Sequence, residues 1–332
     1  MSTLKDVAKA SGVSLTQVSR ALNDYDDVSE ETKEKVKKVA QKIGYVKNIN
    51  ASRLAMQKSN QISVILCGFT QVRHNEDNIL LSMLNGIYEF AEEINYEVLP
   101  LLVSANWQKS YINYCKSRMI PGVIFIGGSS NDCDLKELLE SDYPCVTIDM
   151  HVEGINKACV LVDEEKYSQV AINEMINRGY KRIGMINGHP YACVSVRRQQ
   201  GYENALLQNG LPFEKSLVLN GQFLRKPAAK ETEKLLDLEV DGIFCASDIM
   251  AIGALETIQK KRLKVPDDIG LFGYDGLLLT KFTTPNISTI AQDNHQKGYE
   301  AAKLLHKILK GKPFDKQKYV ECKLWITDSI RI

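Results

Sequence analysis

The chain has 332 residues, enough for two or three globular units, and its 44% hydrophobic and 25% charged residues are ordinary usage for a globular protein with a sizeable core. No run of about 18 apolar residues occurs, which argues against a membrane-spanning helix, and the first six residues hold no apolar stretch of the kind that marks a secretion signal. The formal net charge of +1 conceals an asymmetry: residues 1–60 carry 11 Lys/Arg against 7 Asp/Glu, the remainder 31 against 34, a basic head on a slightly acidic body.

Thr3 and Asp6 form a Thr-x-x-acid start, and Leu4, Val7 and Ala8 put apolar groups on one helical face. Gly12 can take a left-handed backbone and stop that helix. Ser14 and Gln17 then open a second helix as another capping box, with Val18, Ala21 and Leu22 as its inward stripe. Two short helices around a Gly-containing turn read as a helix-turn-helix. With that stripe inward, Leu15, Thr16, Ser19 and Arg20 face outward and Gln17 lies near the N-terminal end, where such a motif reaches base edges in the major groove. A third helix begins at Ser29, with Glu30 and Glu31 in its first turn and a stripe of Val36, Val39, Ala40 and Ile43. Gly44 ends it. Outward Arg20 and the clustered Lys33, Lys35, Lys37, Lys38 and Lys42 favour a DNA role over a plain three-helix bundle.

The run Thr3 to Ser14, continued by Thr16-Gln17-Val18-Ser19-Arg20-Ala21-Leu22-Asn23, Val28-Ser29-Glu30-Glu31-Thr32 and Ile43-Gly44-Tyr45, resembles the signature of the lactose/galactose-repressor (LacI/GalR) family. The resemblance implies a DNA-binding unit over 1–46 that uses Thr3, Ser14, Leu15, Thr16, Gln17, Ser19, Arg20 and Asn23. Residues 47–60 are polar with good helix formers at 50–56, and a helix this short is marginal alone in water. The family likeness implies a hinge helix here that orders on DNA, through Ala51, Arg53 and Leu54, with Leu54 wedged into the minor groove. Lys47 stands where the family usually has proline, and Ser52-Arg53 reverses its usual order.

From Ile62 the pattern changes to short β-branched runs: Ile62–Cys67, Glu97–Leu102, Gly122–Ile126, Cys145–Ile148, Cys159–Val162, Arg182–Asn187, Gly242–Ala246 and Ile269–Tyr274. Amphipathic helices alternate with them, as in Leu80, Met83, Leu84, Ile87, Phe90, Ala91 and Ile94. Such alternation means parallel sheets covered on both faces. Some 270 residues exceed one comfortable core, so two α/β lobes are expected, with ligands at the carboxyl ends of the strands. The segments Gly179–Gly184, Arg198–Tyr202, Phe244–Asp248, Val265–Gly270 and Phe272–Asp275 are similar to the same family. They imply an α/β body over 61–332 of the two-lobed, type I periplasmic-binding-protein-like kind, after an all-α helix-turn-helix bundle. The first lobe is expected at about 62–160 and 291–318, the second at about 161–290 and 319–332.

Asp275 ends a strand, where a carboxylate can accept paired hydrogen bonds from vicinal hydroxyls, and Arg198 offers a planar fork of donors. Phe223 can present a ring to the apolar side of a sugar or base. These three, with Asp149, Asp248 and Gln292, match ligand-contacting positions of the family. The stretch 68–77 departs from the family's usual aromatic loop and is expected to line the cleft.

Enzyme readings find little support. Gly127-Gly128-Ser129-Ser130 is not a phosphate-binding fingerprint, the five histidines are scattered, and Ser195 lacks a Gly-x-Ser-x-Gly elbow. Eight cysteines without a Cys-x-x-Cys pair read as buried reduced thiols of a cytosolic protein. The sequence therefore predicts a cytoplasmic transcriptional regulator, not an enzyme, with no cofactor or metal. Its expected partners are a double-stranded DNA operator, a second copy of the chain, and a small-molecule effector, a sugar or sugar derivative. A solute-binding protein and a doubly wound enzyme are the rival readings.

Overall fold

The structure, a computed structural model, describes residues 2–46, 59–68, 78–103, 107, 109–128 and 132–332. It divides into two compact units, Met1–Ser59 and Asn60–Ile332.

In the first unit, α1 (Leu4–Ser11), α2 (Leu15–Leu22) and α3 (Glu30–Lys42) enclose a core of Val7, Val18, Ala21, Val28, Val36 and Ala40. Local chemistry sets the ends. Thr3 and Asp6 cap α1 reciprocally, and Gly12 closes it at φ 67°. Ser14 Oγ accepts from the Gln17 N–H at 3.2 Å to start α2, and Ser29 does the same for α3 from Thr32. Ser14 and Gln17 do not form the expected reciprocal box. Their side-chain contact runs from the Ser14 hydroxyl to Gln17 Oε1 at 3.2 Å. Lys33 is buried and paired to Glu30 at 2.6 Å, so it belongs to the core edge and not to an outward basic face.

The second unit holds two six-stranded sheets. The chain runs β1 (Gln61–Cys67), α4 (Ile79–Glu93), β2 (Glu97–Val103), α5 (Tyr111–Ser117), β3 (Val123–Gly127), α6 (Cys133–Glu140), β4 (Cys145–Ile148), β5 (Lys157–Leu161) and α7 (Glu164–Asn177). It continues through β6 (Ile183–Asn187), α8 (Cys193–Gln208), β7 (Val218–Asn220), α9 (Arg225–Asp237), β8 (Gly242–Cys245), α10 (Asp248–Lys260), β9 (Gly270–Asp275) and β10 (Ser288–Ala291), then α11 (Asn294–Leu309), β11 (Gln317–Tyr319) and β12 (Lys323–Trp325). The first sheet is β11-β5-β4-β3-β1-β2 and all its pairings are parallel. The second is β12-β10-β9-β8-β6-β7, parallel except for β10 with β12.

Each sheet is covered on both faces, as parallel sheets require. The first packs on one side against α4 and α11, around Ile87, Phe90 and Leu305, and on the other against α5 and α6, around Tyr111, Phe125 and Leu138. The second is buried among α7, α8, α9 and α10, with Tyr202, Phe244, Phe272 and Ile258 in its core. The chain passes between lobes three times: after β5, between β10 and α11, and between β11 and β12. Five cysteines are buried, at 67, 115, 145, 159 and 245, whereas Cys133 and Cys193 are exposed at helix starts, against the expectation of buried thiols.

Candidate nucleic-acid interface and ligand cleft

The outward face of α2 carries Leu15, 42% exposed, with exposed Thr16 and Gln17 and half-buried Ser19, Arg20 and Asn23. Leu15, Thr16, Ser19, Arg20 and Asn23 line a shallow groove of about 370 Å³ together with Leu4 and Tyr25. Thr3 and Ser14 lie at the two helix starts as N-caps, and Asn23 Nδ2 donates to the Ser19 carbonyl at 2.7 Å. Arg20 does not simply extend outward. Its guanidinium is tied to Asp27, with Nη2 2.5 Å from Oδ2 and Nε donating to Oδ1 at 3.1 Å. Ala51, Arg53 and Leu54 lie outside the described residues, as do residues 69–77 of the stretch 68–77 expected to line the cleft.

The second unit encloses a cleft of about 950 Å³ between the carboxyl ends of its two sheets. Residues following β1, β3 and β4 form one wall, and residues following β6, β7, β8 and β9 the other, the usual ligand position in such folds. Of the expected contacts, Asp149, Arg198, Phe223, Asp275 and Gln292 all line it. Ile79, Met83, Leu102, Ile126 and Leu224 supply apolar wall, and Phe223 adds an aromatic ring. Gln222 and Phe223 both take left-handed backbone, at φ 57° and 56°. The Phe223 ring rests on Gly188 so closely that a Cβ there would sit 1.9 Å from it; only glycine admits the ring.

The floor is a continuous polar chain. Lys297 Nζ, on α11 and only 1% exposed, donates to Asp149 Oδ2 at 2.7 Å and to Gln292 Oε1 at 2.8 Å. Gln292 Nε2 donates to Asp275 Oδ1 at 2.9 Å. Arg198 Nη1 lies 3.6 Å from that same oxygen and donates to the Ala246 carbonyl at 2.5 Å. Glu164 takes the arginine side-on, from Nε at 2.7 Å and Nη2 at 3.1 Å, and the guanidinium carbon lies 3.8 Å from the centroid of the Tyr274 ring. Burial disfavours the Arg198 charge, but Glu164 and Asp275 outweigh it and hold the guanidinium firmly protonated. Of the residues lining the cleft, two have a buried acceptor without a hydrogen-bond partner among the described residues: Asp149 Oδ1 and Asn294 Oδ1. Asp149 itself has a left-handed backbone, φ 60°.

Asp248 is placed otherwise. It does not line the cleft; its neighbour Ser247 does, while also capping α10. The Asp248 side chain turns into the protein, fully buried, and accepts from the Leu277 N–H and the Thr289 hydroxyl, both at 2.7 Å. Burial, and then the charge of Asp275, push its carboxyl well above the usual carboxylate range. It braces the segment after β9 that carries Asp275. The family resemblance implied a cleft contact for Asp248, but the first turn of α10 places this carboxyl behind the wall.

Sequence reasoning passed over Glu164, Lys297 and Tyr274. For the first two a signal existed: each sits on the buried stripe of its helix, Glu164 with Tyr167, Ser168 and Ala171, Lys297 with Ala301, Leu304 and Leu305. A charge in the apolar phase of a helix needs a partner. Among the described residues no cluster of His, Cys, Asp or Glu is arranged to hold a metal ion, and no helix is long and apolar enough to cross a membrane.

Two family models match the chain: bacterial regulatory proteins of the lacI family over residues 3–48, and a periplasmic binding protein-like domain over residues 172–330. Over 335 residues the chain is 30% identical to the HTH-type transcriptional repressor CytR of Escherichia coli (strain K12), spanning 99% of this chain and 96% of that protein. It is 29% identical over 336 residues to the probable HTH-type transcriptional repressor ExuR of Bacillus subtilis (strain 168), spanning 100% and 99%. Among solved structures, the cellobiose complex of the transcriptional regulator CelR matches at a TM-score of 0.76 and 25% identity, covering 99% of this chain and 100% of that one. The Lac repressor dimer bound to operator and the anti-inducer ONPF matches at a TM-score of 0.85 and 21% identity, covering 100% and 99%; this is a likeness of fold.

Proposed function

The chain belongs to the lacI family of bacterial regulatory proteins and is a DNA-binding transcriptional regulator, not an enzyme; from that premise we propose that it is a cytoplasmic, homodimeric repressor whose operator affinity is set by a sugar or sugar derivative held in the interlobe cleft. In this reading α2 enters the major groove. Leu15, Thr16, Gln17, Ser19 and Arg20 meet base edges, while Thr3, Ser14 and Asn23 contact the backbone. Two copies read two half-sites of a pseudo-palindrome. Residues 47–60 act as the hinge, with Ala51, Arg53 and Leu54 at the minor groove.

The observation that carries the effector reading is the cleft floor. The two cations of the floor, Arg198 and Lys297, already face carboxylates, whereas Asp149 Oδ1 and Asn294 Oδ1 are buried acceptors without donors. A buried acceptor without a donor costs free energy until one arrives. A molecule rich in hydroxyls, with an apolar face to lay on Phe223, supplies what is missing. The cellobiose bound in the CelR complex is a ligand of that chemistry. Asp275 and Gln292 then complete the polar contacts, Arg198 holds Asp275 in place from behind, and Asp248 braces the same strand end.

Thermal-shift titration of the full chain against neutral sugars, sugar phosphates, nucleosides and nucleobases tests the reading. A ligand present at 100 times its Kd adds about 2.7 kcal/mol to the stability of the unit that binds it. A neutral sugar is expected to raise the melting temperature and to shift the operator-binding midpoint at the same concentrations. Stabilisation by none of the sugar classes would remove the sugar reading.

A further inference from the structure

Arg20 is fixed by two residues outside its own helix. Asp27 and Tyr25 belong to the turn between α2 and α3. That turn is anchored to α2, because the Tyr25 N–H donates to the Arg20 carbonyl at 3.1 Å and the Val28 N–H to the Tyr25 carbonyl at 3.3 Å. The Tyr25 ring centroid is 4.9 Å from the Arg20 guanidinium carbon, and Asp27 closes a two-point pair on Nε and Nη2. The pair is open to solvent, with side chains 42% and 55% exposed, so it adds little to folding stability. Its consequence is orientation.

A side-on pair uses the Nε–H and the adjacent Nη2–H. The opposite, end-on edge of the guanidinium keeps one hydrogen on Nη2 and both on Nη1. Two parallel N–H groups on that edge match the N7 and O6 acceptors of guanine. An arginine held in this pose loses less side-chain freedom on docking than a mobile one. The same carboxylate also puts a negative charge beside the contact face, which weakens sequence-independent attraction to phosphates.

Resting on the reading that α2 faces DNA, we propose that Asp27 is a positioning residue that makes Arg20 a selective reader of guanine, with Tyr25 as the platform beneath the guanidinium. Asp27 raises discrimination on both sides: it aligns the donor edge for the correct base and penalises non-operator DNA. An exposed acidic residue at a DNA-facing surface thereby has a use that charge matching to phosphate alone would not give it.

The test is selection of preferred sites from a random duplex library by the full chain, followed by affinity measurements at fixed salt on the selected site and on an unrelated duplex. Wild-type protein is expected to require guanine at one position per half-site, and Arg20→Ala to lose that requirement. Asp27→Ala is expected to relax the same position by about fivefold or more, within the range one base contact confers, and to bind the unrelated duplex more tightly. Asp27→Glu restores part of the preference, and none of these exposed changes alters the melting temperature. If Asp27→Ala tightens operator binding with the guanine requirement intact, Asp27 is a competitor for Arg20 and the proposal falls alone. If wild-type protein enriches no sequence, the DNA-facing reading of α2 falls and takes the proposal with it.

Discussion

Replacing Glu164 with alanine removes the bidentate partner of an almost fully buried guanidinium. Arg198 and Glu164 are only 4% and 5% exposed, so solvent replaces little of what Glu164 supplies. Breaking a buried pair from one side costs about 3–5 kcal/mol, because the surviving charge stays buried. Asp275 Oδ1, 3.6 Å from Nη1, remains as a partial substitute, and the Tyr274 ring stays in place beneath the cation. Those contacts set the expectation for Glu164→Ala at about 3 kcal/mol. Glu164→Gln keeps an acceptor oxygen and one hydrogen bond, which recovers about 1 kcal/mol of the loss. Equilibrium urea unfolding followed by tryptophan fluorescence measures this, since both tryptophans, Trp107 and Trp325, belong to the second unit. The double variant Glu164→Leu with Arg198→Met removes both charges and is expected to be more stable than Glu164→Ala. A Glu164→Ala protein within about 0.5 kcal/mol of wild type, the usual effect of a neutral surface change, would refute the account of Arg198 as a charge held by Glu164.

Arg20→Ala is expected to cost about 1–3 kcal/mol at the operator and nothing in effector binding, measured by titration at fixed salt. Asp275→Ala and Gln292→Ala each remove a cleft-floor group, so the ligand concentration that half-releases operator is expected to rise while ligand-free operator binding stays intact. Leu54→Ala is expected to weaken operator binding and reduce DNA bending, read by gel phasing, with the melting temperature of the second unit unchanged. Asp248 has a folded-state pKa raised by burial and by Asp275. Its contribution to stability is therefore complete below the ordinary aspartate value of about 3.9 and is lost as pH rises through the raised value. Asp248→Asn should flatten that part of the stability–pH curve in urea unfolding across pH.

The helix-turn-helix was legible because its boundaries are made locally: Thr3, Ser14 and Ser29 cap their own helices, and Gly12 supplies the stop. The long buried strands were legible for a similar reason, as apolar runs such as Gln61–Cys67 keep every residue inside. β7, β11 and β12 are three residues each, too short for any periodicity, and β10 opens with Ser288 and Thr289, which read as turn chemistry although all four of its residues are buried. Their places are set by neighbouring strands. The same limit governed the cleft. Asp149, Arg198, Phe223, Asp275 and Gln292 could be nominated one at a time, but that Arg198 is spoken for by Glu164, or that Lys297 joins Asp149 to Gln292, depends on chain segments up to 148 residues apart. Arg20 is the reverse case. Its partner lies seven residues away, yet outwardness on a helical wheel says nothing about a turn that folds back beside it.

The polar floor also bears on how a ligand could act at a distance within the second unit. Asp149 and Lys297 belong to the first lobe, Asp275, Arg198 and Glu164 to the second, and Gln292 lies on the crossover between them, hydrogen-bonded to both sides. A ligand that satisfies Asp149 Oδ1 and contacts Asp275 holds both lobes through one molecule. It can change their arrangement only by binding one arrangement better than the other. Moving an equilibrium from 1:99 to 99:1 takes about 5.5 kcal/mol of such preference. Hydrogen bonds to charged groups contribute about 1.5–3 kcal/mol each, so two to four contacts made in one arrangement and lost in the other suffice. Asp149 and Asp275 supply charged acceptors for such contacts, and Asn294 Oδ1 adds a neutral one. In the proposed reading the cleft needs no long relay of side chains to respond to its ligand: the groups proposed to recognise it are the same groups that join the lobes.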